Sequence, residues 1–192
     1  MLTVLNVPNL LTLLRLLAIP GFLILLEDGR SRDALAVFVA AGVTDGLDGA
    51  IARLTHTKTA LGAMLDPLAD KLLLLSAFIA LGFMHTVPRW LTVIVISRDV
   101  MLVFGYGFLF MFTQEMMEIR PTASGKHSTF HQLASVGTVL VDMAYPGRGT
   151  ALMPPLFGLT GAVTSAAGLQ YMYRGLLWLQ RHEPDEVRRP TP

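Results

Sequence analysis

Six apolar runs of about twenty residues or more follow one another along the chain, at roughly 8–27, 33–55, 64–85, 88–114, 128–146 and 151–179. Runs of that length are too long for strands, and about 20 mostly apolar residues are what an α-helix needs to cross the hydrocarbon core of a bilayer. The breaks between them, at 27–33, 55–59, 85–89, 114–127 and 145–149, are the clusters of Gly, Pro and charge that end helices. The expected fold class is therefore all-α: an integral membrane protein with about six transmembrane helices in one bundle. Its 192 residues show no change of composition before the last dozen, so one membrane domain is expected over 1–181 and a disordered tail over 182–192. The first run carries Arg15 and has neither a basic leader nor a small-residue cleavage site, which reads as a retained helix rather than a signal peptide.

Only 15% of the residues are charged, yet four carboxylates fall within 26 residues at the end of the second run and the start of the third: Asp45, Asp48, Asp66 and Asp70. An isolated ionised Asp at mid-bilayer costs roughly 2.5 to 3.5 kcal/mol even on the lenient insertion scale, so something must offset them. Residues three, four and seven apart share a helix face, which puts Asp45, Asp48, Gly49 and Ala52 in one stripe and stacks Asp66 on Asp70. A hairpin about the 55–63 loop would bring all four carboxylates together. Two hard divalent cations bridged by carboxylate oxygens would balance them, and the small residues of the stripe leave room for a ligand. The competing reading is a buried polar cluster that locks two helices together, or an ion pathway. Structural clusters usually mix signs, whereas this one is all acidic.

The arrangement D-x2-D-G-x2-A-R-x8-G-x3-D-x3-D is complete as Asp45, Asp48, Gly49, Ala52, Arg53, Gly62, Asp66 and Asp70. It resembles the signature of the CDP-alcohol phosphotransferases, and N-V-P-N-L-L-T-L-L-R at 6–15 is similar to the opening of phosphatidylglycerophosphate synthases and eukaryotic-type cardiolipin synthases. The resemblance covers roughly residues 6–180. It implies that a CDP-linked lipid gives up its phosphatidyl group to an alcohol while CMP leaves. It further implies that Asp45, Asp48, Asp66 and Asp70 hold two Mg²⁺ or Mn²⁺ ions and that Asp70 is the general base. Gly49, Ala52, Arg53 and Gly62 would lie on the nucleotide side, and the partners would be CDP-diacylglycerol, a glycerol-type acceptor and the bilayer.

Other polar residues within the apolar runs admit two readings each. Asn9, Thr12 and Arg15 recur at threes and could form one polar edge facing the nucleotide; alternatively Arg15 snorkels to the interface and Thr12 bonds its own backbone. Arg98 and Asp99 are either a self-satisfying pair or, through Arg98, a contact for a phosphate-bearing acceptor. Lys71 is either a counter-charge beside Asp70 or a ligand contact. Lys126, with Thr129 and Gln132, is similar to the family's G-K-x-x-T-x-x-Q segment and is a second acceptor candidate. His127 and His131 lie one turn apart with no carboxylate nearby, a weak case for zinc.

The acceptor is the least determined element. The phosphatidylglycerophosphate synthases resembled here carry a further Arg on the fourth helix and a second Lys two positions beyond the one matching Lys126, where this chain has Ser128. Missing those cations, the chain is closer to cardiolipin synthases, whose acceptor is phosphatidylglycerol, with glycerol 3-phosphate as the alternative. Ser128→Lys is then expected to raise use of glycerol 3-phosphate. An intramembrane prenyltransferase or a cation transporter would use similar carboxylates, but the first needs two separate acidic motifs and the second needs no Arg53.

With a net charge of +1 and no basic stripe, nucleic-acid binding is excluded, and without cysteine there are no thiolate sites. Placing the 55–63 loop in the cytosol puts Arg53, Lys58, Arg120, Lys126, Arg181, Arg188 and Arg189 there, against Arg30, Arg32, Arg89 and Arg148 outside. That bias predicts cytosolic termini and an active site near the cytosolic interface; the resemblance to the bacterial phosphatidylglycerophosphate synthases implies residence in a bacterial inner membrane. A homodimer is compatible with all of this.

Overall fold

The computed structural model describes residues 7–55, 60–113 and 123–181, with side chains over 12–44, 69–105 and 124–178. These residues form six α-helices and no strand: α1 (Val7–Glu27), α2 (Ser31–Thr55), α3 (Ala60–Phe83), α4 (Arg89–Thr113), α5 (Ala123–Ala144) and α6 (Met153–Arg181). The expected tail over 182–192 lies outside the described residues. Among the described residues no helix is long and apolar enough to cross a membrane.

The helices follow the apolar runs, with two early starts. α3 begins at Ala60 rather than 64, because Ala60, Leu61, Ala63 and Met64 are strong helix formers that carry the helix through Gly62. α5 begins at Ala123 rather than 128. Its first turns are polar and read as a loop, but the Ser124 hydroxyl donates to Gln170 Oε1 on α6 and Thr129 Oγ1 donates to the carbonyl of Gly125.

Three described connections lie together at one end of the bundle. After α1, Gly29 takes φ 71° while its N–H reaches Leu26 O and the N–H of Arg30 reaches Leu25 O, a Schellman stop that uses glycine's freedom. α3 ends the same way with His85 at φ 60°, its N–H on Gly82 O and that of Thr86 on Leu81 O. After α5, Asp142 Oδ1 accepts from the N–H of Gly147 and of Gly149 and from the Thr150 hydroxyl, holding the turn into α6.

α1 packs on α2 and α3, α6 on α4 and α5, and α2 on α5, with narrower α3 contacts to α4 and α5. Phe22, Leu26, Phe38, Phe78, Leu81, Leu91, Val95, Val136, Leu140 and Phe157 form the buried apolar core. All of them lie in the half of the bundle nearest these three turns; the side chains of 45–68 and 106–123, toward the other end, lie outside the described residues. The seam between α5 and α6 is polar instead. Ser128 meets Thr164 at 3.0 Å, Gln132 Nε2 donates to both at 3.2 Å, and Ser135 meets Thr160 at 2.8 Å, all fully buried or nearly so. Interhelical hydrogen bonds between small polar side chains are a common means of joining helices where apolar burial supplies little drive.

Candidate active site

The motif occupies the ends of two helices away from the three described turns. Asp45, Asp48, Gly49, Ala52 and Arg53 lie on the C-terminal half of α2, and Gly62, Asp66 and Asp70 on the N-terminal half of α3. α1 and α5 each pack on both helices and so flank the pair. The side chains of Asp45, Asp48, Arg53 and Asp66 lie outside the described residues, as does that of Asn9 on α1. Asp70 is described, and it stands at the edge of a charged layer that the sequence did not reveal.

That layer joins α1, α3 and α4, with an aromatic ring of α6 beside it. Arg15, on α1, is 3% exposed, and its Nη1 lies 2.7 Å from Asp70 Oδ1. The next residue on α3, Lys71, places Nζ 2.9 Å from Asp99 Oδ1 on α4, and Arg98 Nη1 lies 2.5 Å from the same oxygen. Arg98 is 7% exposed, its guanidinium sits 5.9 Å from the centre of the Tyr171 ring on α6, and its Nε has no hydrogen-bond partner among the described residues. α6 packs on α4 here, and a Cβ added at Gly168 would be in ordinary contact with Arg98 Cγ, at 3.5 Å.

Several expectations change on this geometry. Arg15 does not snorkel to an interface; it is buried and joined to Asp70, so the acidic cluster does include a cation supplied by another helix. Arg98 and Asp99 do pair, yet Lys71 shares the same carboxylate, leaving two cations on one anion. Thr12 is buried at 1% exposure on the helix that carries Arg15. Lys126 is exposed at the start of α5, and no described contact joins it to Arg98. Gln132 and Ser128 are spent in the α5–α6 seam rather than facing open space. Nothing in the sequence marks Tyr171: it belongs to no motif, and only the packing of α4 on α6, close at Gly168 three residues earlier, brings it to Arg98.

As for the ions the motif implies, the donor set is all carboxylate oxygen, the ligand chemistry of Mg²⁺ and Mn²⁺ rather than of a soft metal, and Asp66 and Asp70 stand one turn apart on α3. The residues present fit hard divalent cations.

The match to known proteins covers the same residues. The family model for CDP-alcohol phosphatidyltransferases matches residues 5–169. A cardiolipin synthase (CMP-forming) of Rattus norvegicus is 35% identical over 187 residues, covering 88% of this chain and 61% of the relative. A probable phosphatidylglycerophosphate synthase of Mycobacterium tuberculosis is 32% identical over 177 residues, covering 89% and 82%. A cardiolipin synthase (CMP-forming) / mitochondrial hydrolase fusion protein of Schizosaccharomyces pombe is 34% identical over 180 residues, covering 86% of this chain and only 30% of the relative. With its signature complete and the family model matched over most of its length, the chain belongs to the CDP-alcohol phosphatidyltransferase family.

Proposed function

We propose that this protein is a membrane-embedded enzyme of phospholipid synthesis that transfers the phosphatidyl group of CDP-diacylglycerol to a glycerol-type alcohol, releasing CMP, with phosphatidylglycerol as the favoured acceptor. The observation that carries the reaction is the complete acidic signature on α2 and α3, within a family match over residues 5–169. Family membership leaves the prenyltransferase and transporter readings without support. Relatives named for both acceptors match the chain to a similar degree, so the acceptor rests on this chain's own charges.

In the reaction the acceptor hydroxyl attacks the phosphatidyl phosphorus, the new P–O bond forms as the bond to CMP breaks, and CMP leaves with the electron pair. Asp70 takes the hydroxyl proton, and Arg15 fixes the carboxylate's position through Oδ1. Asp45, Asp48 and Asp66, together with Asp70, would hold the divalent cations, which when bound neutralise the diphosphate of the donor. Gly49, Ala52, Arg53 and Gly62, with Asn9 and Thr12 from α1, form the nucleotide side.

Arg98 and Lys71 share Asp99, leaving one net positive charge beside Asp70. One charge suits a phosphodiester; a phosphomonoester near neutral pH carries about −1.5 to −2. Lys126 is the second acceptor candidate and would add to this charge only if acceptor reaches the start of α5.

Residence in a bilayer is supported by size and surface. The helices run from 21 to 29 residues, about 32 to 44 Å, enough for a hydrocarbon core of about 30 Å. Phe83 is 80% exposed and Phe104 73%, and Leu17, Ile24, Val103 and Leu169 also face outward, a surface that water would penalise and lipid would not. The described side chains of α1 to α4 cover 12–27, 31–44, 69–83 and 89–105, each shorter than a spanning segment of about 20 residues, whereas α5 and α6, described over 124–144 and 153–178, are long enough but not apolar enough to cross a membrane by themselves. The cationic bias of the loops orients the catalytic end to the cytosol.

The test is CMP release by detergent-purified protein from CDP-diacylglycerol, with and without acceptor. Acceptor-dependent release is expected, and none with any glycerol-type acceptor would end the reading.

A further inference from the structure

The end of the bundle opposite the catalytic motif carries a second cationic site, joined to an apolar groove. Arg32, at the start of α2, and Arg148, in the α5–α6 turn, each place their guanidinium carbon 5.2 Å from the centre of the Tyr145 ring. Arg32 Nε also donates to Ala144 O at 3.4 Å. Among the described residues neither arginine pairs with a carboxylate. Asp142, in the last turn of α5, has Oδ1 engaged by Gly147, Gly149 and Thr150, and Asp33 is paired with Arg30 at 2.7 Å. Glu27 and Asp28, at the end of α1, are the other carboxylates of this end.

Below Arg148 an open groove of about 520 Å³ runs between α2 and α5. Leu35, Val39 and Val43 line it on one side and Ala134, Gly137 and Val141 on the other, with Arg148 at its mouth. Small residues at Ala134 and Gly137 keep the slot open, and its lining is almost wholly apolar.

We propose that this groove binds one anionic phospholipid of the leaflet opposite the catalytic end, its phosphate on Arg32 and Arg148 and an acyl chain in the slot. Charge complementarity at the mouth and apolar lining below it call for a ligand that is an anion at one end and a hydrocarbon at the other. Inorganic phosphate would leave the slot unfilled, and an apolar helix of a partner would leave the arginines unanswered. This is not the donor's own diphosphate site: Arg32 precedes Asp45 by 13 residues, about 20 Å along α2. The inference rests on the bilayer reading above.

Native mass spectrometry of the detergent-purified protein, titrated with phosphatidic acid, tests it. Wild type should retain one phosphatidic acid at least tenfold more tightly than Arg32→Gln/Arg148→Gln, with phosphatidylcholine and inorganic phosphate binding far more weakly. Arg148→Lys should keep most of the affinity, and Gly137→Leu, which fills the slot with the arginines intact, should lose it. Asp66→Ala should bind as wild type does, separating this site from the catalytic one. Equal retention by the double glutamine variant, or by Gly137→Leu, or equal binding of phosphatidylcholine, would overturn the proposal. Failure of the bilayer reading shows separately, as release of the protein into the soluble fraction when membranes are washed at alkaline pH.

Discussion

In the proposed reaction Asp70 would meet two demands, accepting a proton and standing against the divalent cations, and Arg15 pairs with it from a different helix. Asp70→Asn keeps the shape of the side chain but cannot take the proton. Turnover should fall by about 100-fold or more while CDP-lipid binding persists. Retention of a tenth of the wild-type rate, measured as CMP release, would rule out a base at this position. Asp45→Ala and Asp66→Ala should instead weaken magnesium-dependent binding of a CDP analogue, read by calorimetry with and without the metal. The eight motif positions were legible because their spacing is fixed within one segment of chain. The pairing of Arg15 with Asp70 and of Lys71 with Asp99 was not, because the partners lie 55 and 28 residues apart, distances over which spacing carries no information, whereas the adjacent Arg98–Asp99 pair could be read directly.

At the scale of helices, apolar length placed all six elements, and it failed where polar side chains enter a helix for the sake of a neighbour. α5 is the instance. Its Ser and Gln residues recur about one turn apart and face a matching pair of threonines on α6, a pattern present in the sequence and masked by reading polarity as loop. Ser128 is fully buried there, which reverses the expectation that Ser128→Lys would recruit glycerol 3-phosphate. The substitution should lower the thermal midpoint in detergent by removing a partner of Thr164 and Gln132, at about 1–3 kcal/mol for each buried group left unsatisfied, and leave acceptor preference unchanged. A stable variant with raised glycerol 3-phosphate use would contradict that placement. α4 and α6 make a second test: a Cβ at Gly161 would lie 2.5 Å from a Trp90 ring carbon, so Gly161→Val should also lower the midpoint.

Across the described residues, the buried apolar side chains of the core lie toward the three described turns and the acidic motif occupies the other ends of α2 and α3, with the Arg15–Asp70 and Lys71–Asp99–Arg98 contacts between them. In the proposed reaction such an arrangement would let a soluble nucleotide approach one face while the lipid portion of the donor stays in the bilayer. Chelation with EDTA should silence the enzyme and Mg²⁺ or Mn²⁺ should restore it. Ca²⁺, with its larger and looser coordination shell, should restore it poorly. Full activity after exhaustive chelation would mean that the acidic cluster works without divalent cations.

The most direct measurement gives purified protein labelled CDP-diacylglycerol with either phosphatidylglycerol or glycerol 3-phosphate and follows CMP and the lipid product. CMP release should depend on acceptor, with cardiolipin formed from phosphatidylglycerol faster than phosphatidylglycerophosphate from glycerol 3-phosphate. Preference for glycerol 3-phosphate would show that Arg98 and its neighbours serve a dianion, and absence of CMP with either acceptor would contradict phosphatidyl transfer itself.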